Sequence, residues 1–411
     1  MACSRYDFKS GYRPKVFNLF RCSVLQFQPA MASAAAHKST EEYLAKAFYR
    51  PELDCLRFFA FFGVFIFHTF PFDPAYYLAR HIPFSALIAS LSIAGSFGVD
   101  LFFLLSSFLI TELLLREKAR YGRIHLKAFY VRRILRIWPL YFFALGIGVL
   151  LAKIDPQQHF SMRYVFAFVF LLGNWLTTFA GFPGSVMNPL WSVSLEEQFY
   201  LAWPAILLHL RPRKVLLVSA GMLVVAQIAR LAFLKYARHP EIALATNTLA
   251  RLDPLAIGAA TAILFHSRNF REKIFRPALL HRFACAAAGL ILWTTAGHFY
   301  SLSQVFAIFG FPAIAAGALL IFLSVFQSSV APLWLRYLGK ISYGLYVFHS
   351  LCLYLAAHLL GGYPRNAWQF VVFWCLGLAL TVVFAALSYK FLESPFLRLK
   401  ERFAYITSRP V

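Results

Sequence analysis

A chain of 411 residues that is 60% hydrophobic, 18% aromatic and only 14% charged, with a mean hydropathy of +0.64, has too little polar surface to cover a soluble globule. Its many apolar runs of about 18 residues or more are what a hydrocarbon layer ~30 Å thick requires. The net charge of +23 does not point to nucleic acid, because the basic residues lie in short loops between apolar spans. Six cysteines are scattered singly with no C-x-x-C, so neither a disulfide framework nor a zinc site is readable. No metal and no bound cofactor is expected.

Residues 1–50 read as a polar, basic tail. Arg21, Gln26 and Gln28 interrupt its weak apolar run, which argues against a cleaved signal peptide, and Met31 is an alternative start. Eleven apolar runs follow, near 53–72, 93–115, 137–153, 162–180, 191–210, 214–236, 247–266, 279–299, 304–327, 341–360 and 368–391. They make one all-α membrane domain over 51–400, followed by a short tail at 401–411.

Basic loops set the expected orientation. Between Leu115 and Ile137 eight Lys and Arg residues face Glu117 alone, so that loop is expected in the cytosol. So are the loops holding Arg211 and Arg213, or Arg268 and Lys273, and both chain ends. All of these lie on one side only if one of the runs between Ile137 and Thr178 fails to cross. The run 162–180 is the one expected to fail, because Gly173, Asn174 and Trp175 interrupt it. About ten crossings and one re-entrant segment result.

A charge at the centre of a span costs roughly 2.5–3.5 kcal/mol on insertion scales, so intramembrane charges mark candidate sites. In the first span Arg57 and His68 are eleven residues apart, almost three helical turns, on one face and about 16 Å apart along the axis. Asp100 stands alone in the second span. Glu196, Glu197 and Gln198 sit near one end of the span beginning at Trp191, and Arg251 and Asp253 near the same level of another. Counted through alternating helix directions, His68, Asp100, Glu196, Glu197, Arg251 and Asp253 share a depth in the outer half. That coincidence suggests one polar chamber, with Arg251 and Asp253 read as neutralising one another.

The residue types define a chemistry. A histidine can take the proton of a hydroxyl as its oxygen attacks an acyl carbon, a carboxylate can orient the imidazole, and an arginine can hold a phosphate or developing oxyanion. Arg132, Arg133 and Arg136 place guanidiniums on one helical face, either as interfacial anchors or as a docking site for a phosphorylated donor. No G-x-S-x-G, H-E-x-x-H or phosphate-binding glycine loop is present.

Taken together, six ordered segments resemble the membrane-bound acyltransferase-3 family, which O-acylates bacterial surface polysaccharides, peptidoglycan, Nod factors and macrolides. They are LDCLRFFAFFGVFIFHTF with its Arg-x10-His, SFGVDLFFLLSSFLIT, YVRRILRIWPLYF, WSVSLEEQFYLAWP, ISYGLYVFHSL and SYKFLESPFLRL. The resemblance runs from about Leu53 to Leu399. It implies an acyl-CoA co-substrate, foremost acetyl-CoA, on the cytosolic side, and a glycan, glycolipid or macrolide-type acceptor. It assigns Arg57 and His68 to the essential pair, Glu196 to an acidic motif, and Arg133 and Arg136 to the cytosolic face.

The expected machinery is therefore His68 as general base, Glu196 orienting it, and Arg57 binding donor or stabilising charge. Asp100, Glu197, Arg133, Arg136 and Tyr346 are expected around the substrates, and His349 at an ordinary aromatic contact. The family's usual Ser-Gly is Ser106-Ser107 here. No hydrolase-like domain is read after the last span, so the transfer is expected to finish here or on a separate extracytoplasmic partner. The expected location is the bacterial inner membrane, among its lipids. A secondary transporter of a small polar solute is the rival reading; the inverted repeats that would favour it are not evident.

Overall fold

The computed structural model describes residues 48–266, 279–328 and 331–406. The basic N-terminal tail and the loop with Arg268, Arg271, Lys273 and Arg276 lie outside them. The described residues form helices joined by turns, with no strand among them.

In chain order the helices are α1 Pro51–Thr69, α2 Pro74–Leu78, α3 Ser85–Ser96, α4 Gly98–Tyr121, α5 Leu126–Ile154, α6 Met162–Val169, α7 Gly173–Ala180 and α8 Leu190–His209. Then come α9 Pro212–Tyr236, α10 Pro240–Thr246, α11 Leu252–His266, α12 Leu279–His298, α13 Phe311–Val325, α14 Leu333–Lys340, α15 Ser342–Leu359, α16 Ala367–Ser388 and α17 Ser394–Glu401. Seven continuous helical runs among the described residues are long and apolar enough to cross a membrane. Three further helices, α1, α8 and α15, reach 18 to 20 residues. These three carry Arg57, His68, Glu196, Glu197 and Tyr346, while Asp100, Arg133, Arg136, Arg251 and Asp253 lie in the seven.

The run 162–180 does break. It forms two helices of eight residues each, α6 and α7, about 12 Å apiece and too short to cross. The polar groups exposed by the break are answered from α8. Gln198 donates to the Leu171 carbonyl and to Asn174 Oδ1, both at 2.8 Å, and accepts from Trp175 Nε1 at 3.1 Å. Asn174 in turn donates to Thr248 Oγ1 at 2.8 Å and to the Thr246 carbonyl at 3.2 Å. Every donor and acceptor at a mid-membrane break needs such a partner.

The centre of the bundle is α4 with α11. In the most apolar window of each of their runs 67% of residues are buried, against 11% for the peripheral α12. Small residues bring the central helices together. A Cβ on Gly98 would lie 2.1 Å from the Ala60 carbonyl oxygen, and one on Gly95 2.3 Å from that of Gly63. Only glycine permits this approach, which sets α1 directly against the α3–α4 corner. Ser107 has its counterpart across the α4–α11 contact. Its hydroxyl donates to the Leu104 carbonyl at 3.1 Å and fills space beside Gly258, where a Cβ would lie 2.1 Å from it.

Candidate active site

A cavity of about 180 Å³ lies among α1, α4, α5, α8 and α15. One end is basic, lined by Arg50, Arg132, Arg133, Arg136 and Lys400, with Arg57 further along α1. Glu196 and Tyr346 are also on its wall, with Phe102 and Ser106 from α4. Residues 404–406, beyond the expected end of the membrane domain, lie at this mouth. Tyr405 stacks on His125 with ring centroids 3.8 Å apart.

The arginines at the mouth are not equivalent. Arg132 is engaged, donating to Glu117 at 3.1 Å and to the Phe403 carbonyl at 2.7 Å. Arg136, by contrast, makes no hydrogen bond or ion pair among the described residues. The Arg133 guanidinium lies 5.3 Å from the centre of the Tyr200 ring and 5.5 Å from that of Phe129, without an ion-pair partner among the described residues. One turn apart on α5, these two guanidiniums present positive charge to the cavity.

Glu196 is held from two helices. Tyr200 donates to one carboxylate oxygen at 2.7 Å and Ser106 to the other at 3.2 Å. Arg57 and Arg133 supply the positive field around it. The expectation that Glu196 orients His68 is corrected: among the described residues Glu196 accepts from Tyr200 and Ser106, not from His68.

His68 is oriented by backbone. Its Nδ1 lies 2.9 Å from the Val64 carbonyl oxygen. A carbonyl only accepts, so Nδ1 carries the hydrogen and Nε2 is left with a lone pair in the neutral ring. His68 does not line the cavity. It is exposed, and its ring packs against that of His349 with centroids 4.8 Å apart. His349 is fully buried and likewise fixed by backbone, its Nδ1 donating to the Tyr346 carbonyl. Tyr346 stands between, 5.6 Å from His349 and 5.7 Å from the cavity residue Phe102.

The family described as "Acyltransferase domain" matches residues 50–390. The chain belongs to that acyltransferase family. It is 28% identical over 379 residues to O-acetyltransferase OatA of Staphylococcus aureus strain NCTC 8325 / PS 47, a match covering 84% of this chain and 57% of that protein. OatA of strain COL gives the same figures. The chain thus spans little more than half the length of these curated relatives. No solved structure matches it.

In this member of the family the single polar chamber read from depth is divided. Asp100 is not on the cavity; it accepts from Arg251 at 2.8 Å, both buried. Asp253 pairs with Arg230, whose second nitrogen donates to it at 3.2 Å and whose first donates to both Asp253 and the Ala250 carbonyl. Arg251 and Asp253 therefore do not neutralise one another: their partners come from α4 and α9. Two residues apart at a helix start, they point away from each other. Glu197 also faces away from the cavity, accepting from Trp138 Nε1 at 3.1 Å. Asp100 and Glu197, expected around the substrates, do not line this cavity.

The roles of four residues went unread in the sequence. Ser106 and Tyr200 hold Glu196, and Ser192 lies 2.7 Å from the Tyr346 hydroxyl. Tyr200 is four residues after Glu196, so the spacing of one helical turn already put it on the same face. Arg230 is a buried charge inside the run 214–236, and the argument applied to Asp100 applied equally to it. Ser106 was marked only as part of the Ser106-Ser107 pair, and Ser192 carried no signal.

Proposed function

We propose that this chain moves an acyl group, foremost acetyl, from cytosolic acyl-CoA to a hydroxyl of a carbohydrate or glycolipid of the cell envelope. The observation that carries the reading is the cavity wall, where basic side chains outnumber acidic ones and Arg133 and Arg136 make no direct ion pair among the described residues. Such a surface is completed by an anion, and arginine is suited to phosphate. A cavity of about 180 Å³ compares with the ~10–15 Å³ that a single water needs by the same measure. It has room for a thioester and its acyl group, while the phosphorylated nucleotide stays at the basic mouth.

In this mechanism the acceptor hydroxyl gives its proton to His68 Nε2 as its oxygen attacks the thioester carbon. The new C–O bond forms, the C–S bond breaks, and the proton passes on to the leaving thiolate. Arg57 stabilises the negative charge that develops. Glu196, held by Ser106 and Tyr200, keeps Arg57 and Arg133 turned to the cavity. The names of the relatives favour acetyl and oxygen over other acyl groups and acceptors. On this reading the protein sits in a bacterial inner membrane with both ends in the cytosol, and a separate extracytoplasmic transferase can take the product onward.

The test uses the full chain in proteoliposomes with acetyl-CoA and isolated envelope glycans, read by mass spectrometry. The wild type is expected to add one acetyl ester. His68→Ala is expected to lower the rate at least a hundredfold, the lower end of what a general base contributes. Undiminished transfer by His68→Ala removes the proposed base. Failure of the folded wild type with every acyl-CoA and glycan fraction overturns the reading.

A further inference from the structure

The donor cavity and the His68 imidazole are separate spaces, and one side chain stands between them. Tyr346 lines the cavity and touches Phe102 on that side. On the other side it touches His349, which in turn packs on His68. Neither histidine lines the cavity. The Tyr346 hydroxyl is pinned across to α8, 2.7 Å from Ser192 Oγ and donating to the Pro189 carbonyl at 3.3 Å. The residue is 7% exposed and lies between the cavity and the His349–His68 pair.

We propose that Tyr346 is the partition of the transfer path, closed by its bond to Ser192 and opened by rotation of the ring when an acyl group passes from cavity to His68. The inference rests on the proposed acyl transfer. Its physical basis is that a thioester held in a polar cavity beside an open path to a general base meets water as readily as an acceptor. Water then replaces the hydroxyl: its oxygen bonds the acyl carbon, the C–S bond breaks, and free acid and thiol leave. A closed ring excludes that reaction until acceptor is in place. It also keeps the bilayer from being pierced where α1, α8 and α15 meet.

The decisive quantity is the ratio of ester formed to thiol released from acetyl-CoA, measured on the full chain in proteoliposomes with and without glycan acceptor. Tyr346→Ala and Ser192→Ala are expected to raise acceptor-independent thiol release about tenfold or more, and to lower the ester-to-thiol ratio. Tyr346→Phe keeps the ring and loses the pin, so it is expected to fall between them and the wild type. An unchanged ratio in Tyr346→Ala overturns the partition.

A readout without turnover separates this failure from failure of the acyl-transfer reading. In a chain cleared of its native cysteines, Ser106→Cys marks the cavity wall. A membrane-impermeant maleimide is expected to reach it from one face of the membrane only. With Tyr346→Ala added, it is expected to reach it from both. Labelling from both faces with Tyr346 intact, or from one face without it, overturns the partition whether or not acetyl-CoA is the donor.

Discussion

Two groups of buried charge occupy neighbouring parts of this bundle and are built in opposite ways. In the first, Asp100, Arg251, Arg230 and Asp253 tie α4, α9 and α11 together as two ion pairs, with Phe311 beside both guanidiniums. In the second, Arg57, Arg133 and Arg136 share a cavity wall on which Glu196 is already bonded to Tyr200 and Ser106. In the first group each acid is matched by one arginine, although the Nε of both arginines is buried without a hydrogen-bond partner. The second has more basic than acidic side chains on its wall, Arg50, Arg57, Arg132, Arg133, Arg136 and Lys400 against Asp54, Glu117 and Glu196, a surplus that suits an anionic ligand. Burial alone therefore does not distinguish a structural charge from a functional one; the balance of signs around it does.

The largest test of that contrast breaks the first group. Asp253→Leu leaves Arg230 buried without its counter-ion, and removing one partner of a buried pair costs about 3–5 kcal/mol. The double variant Asp253→Leu with Arg230→Met removes both charges and is expected to recover most of the loss, since a well-packed apolar pair often matches an ionic one. Unfolding in detergent micelles, followed by thermal or denaturant titration, measures both. If the double variant is as unstable as the single one, the pair does more than neutralise itself.

The converse holds at the cavity. Arg133→Met is expected to leave the unfolding midpoint near that of the wild type and to weaken use of an acyl-CoA donor. Hydrogen bonds to a charged group contribute about 1.5–3 kcal/mol, so kcat/KM for the donor should fall roughly ten- to a hundredfold, carried by KM. A variant that loses stability and keeps its donor KM would place Arg133 with the structural charges and erase the contrast.

The sequence made most of the architecture legible, because length and apolarity are local properties. Ten long helices could be marked from runs of about 18 apolar residues, and the break at Gly173 and Asn174 from residues that disfavour a helix interior. Arg57, Arg133, Arg136, Glu196 and Tyr346 were marked too, and they meet at one cavity. What could not be read was which buried charge faces which. Counting along helices gives depth, and Asp100, Arg251 and Asp253 do lie together. It gives no direction around the helix axis, so it cannot tell that Arg251 turns to a residue 151 positions earlier while Asp253 turns to α9. For the same reason His68 was assigned to a carboxylate, when its nearest acceptor was the carbonyl four residues back on its own helix.

The smallest effect concerns a charge outside both groups and outside the membrane spans. Asp155, just past the end of α5, accepts from the Tyr354 hydroxyl and from the Gln157 N–H. The Tyr354 bond, aided by the second, holds its carboxyl below the usual carboxylate range. A depressed folded-state pKa means that the stabilisation is present above the unfolded value of about 3.9 and is lost as pH falls through the lower, folded value. Asp155→Asn should therefore be less stable than the wild type at neutral pH, and the gap should close on acidification below about pH 4. Melting both proteins in micelles between pH 3 and 7 reads the difference. A gap that persists unchanged at pH 3 would mean that shape, not charge, joins α15 to the end of α5, and Asp155 would then belong to neither kind of buried charge but to ordinary packing.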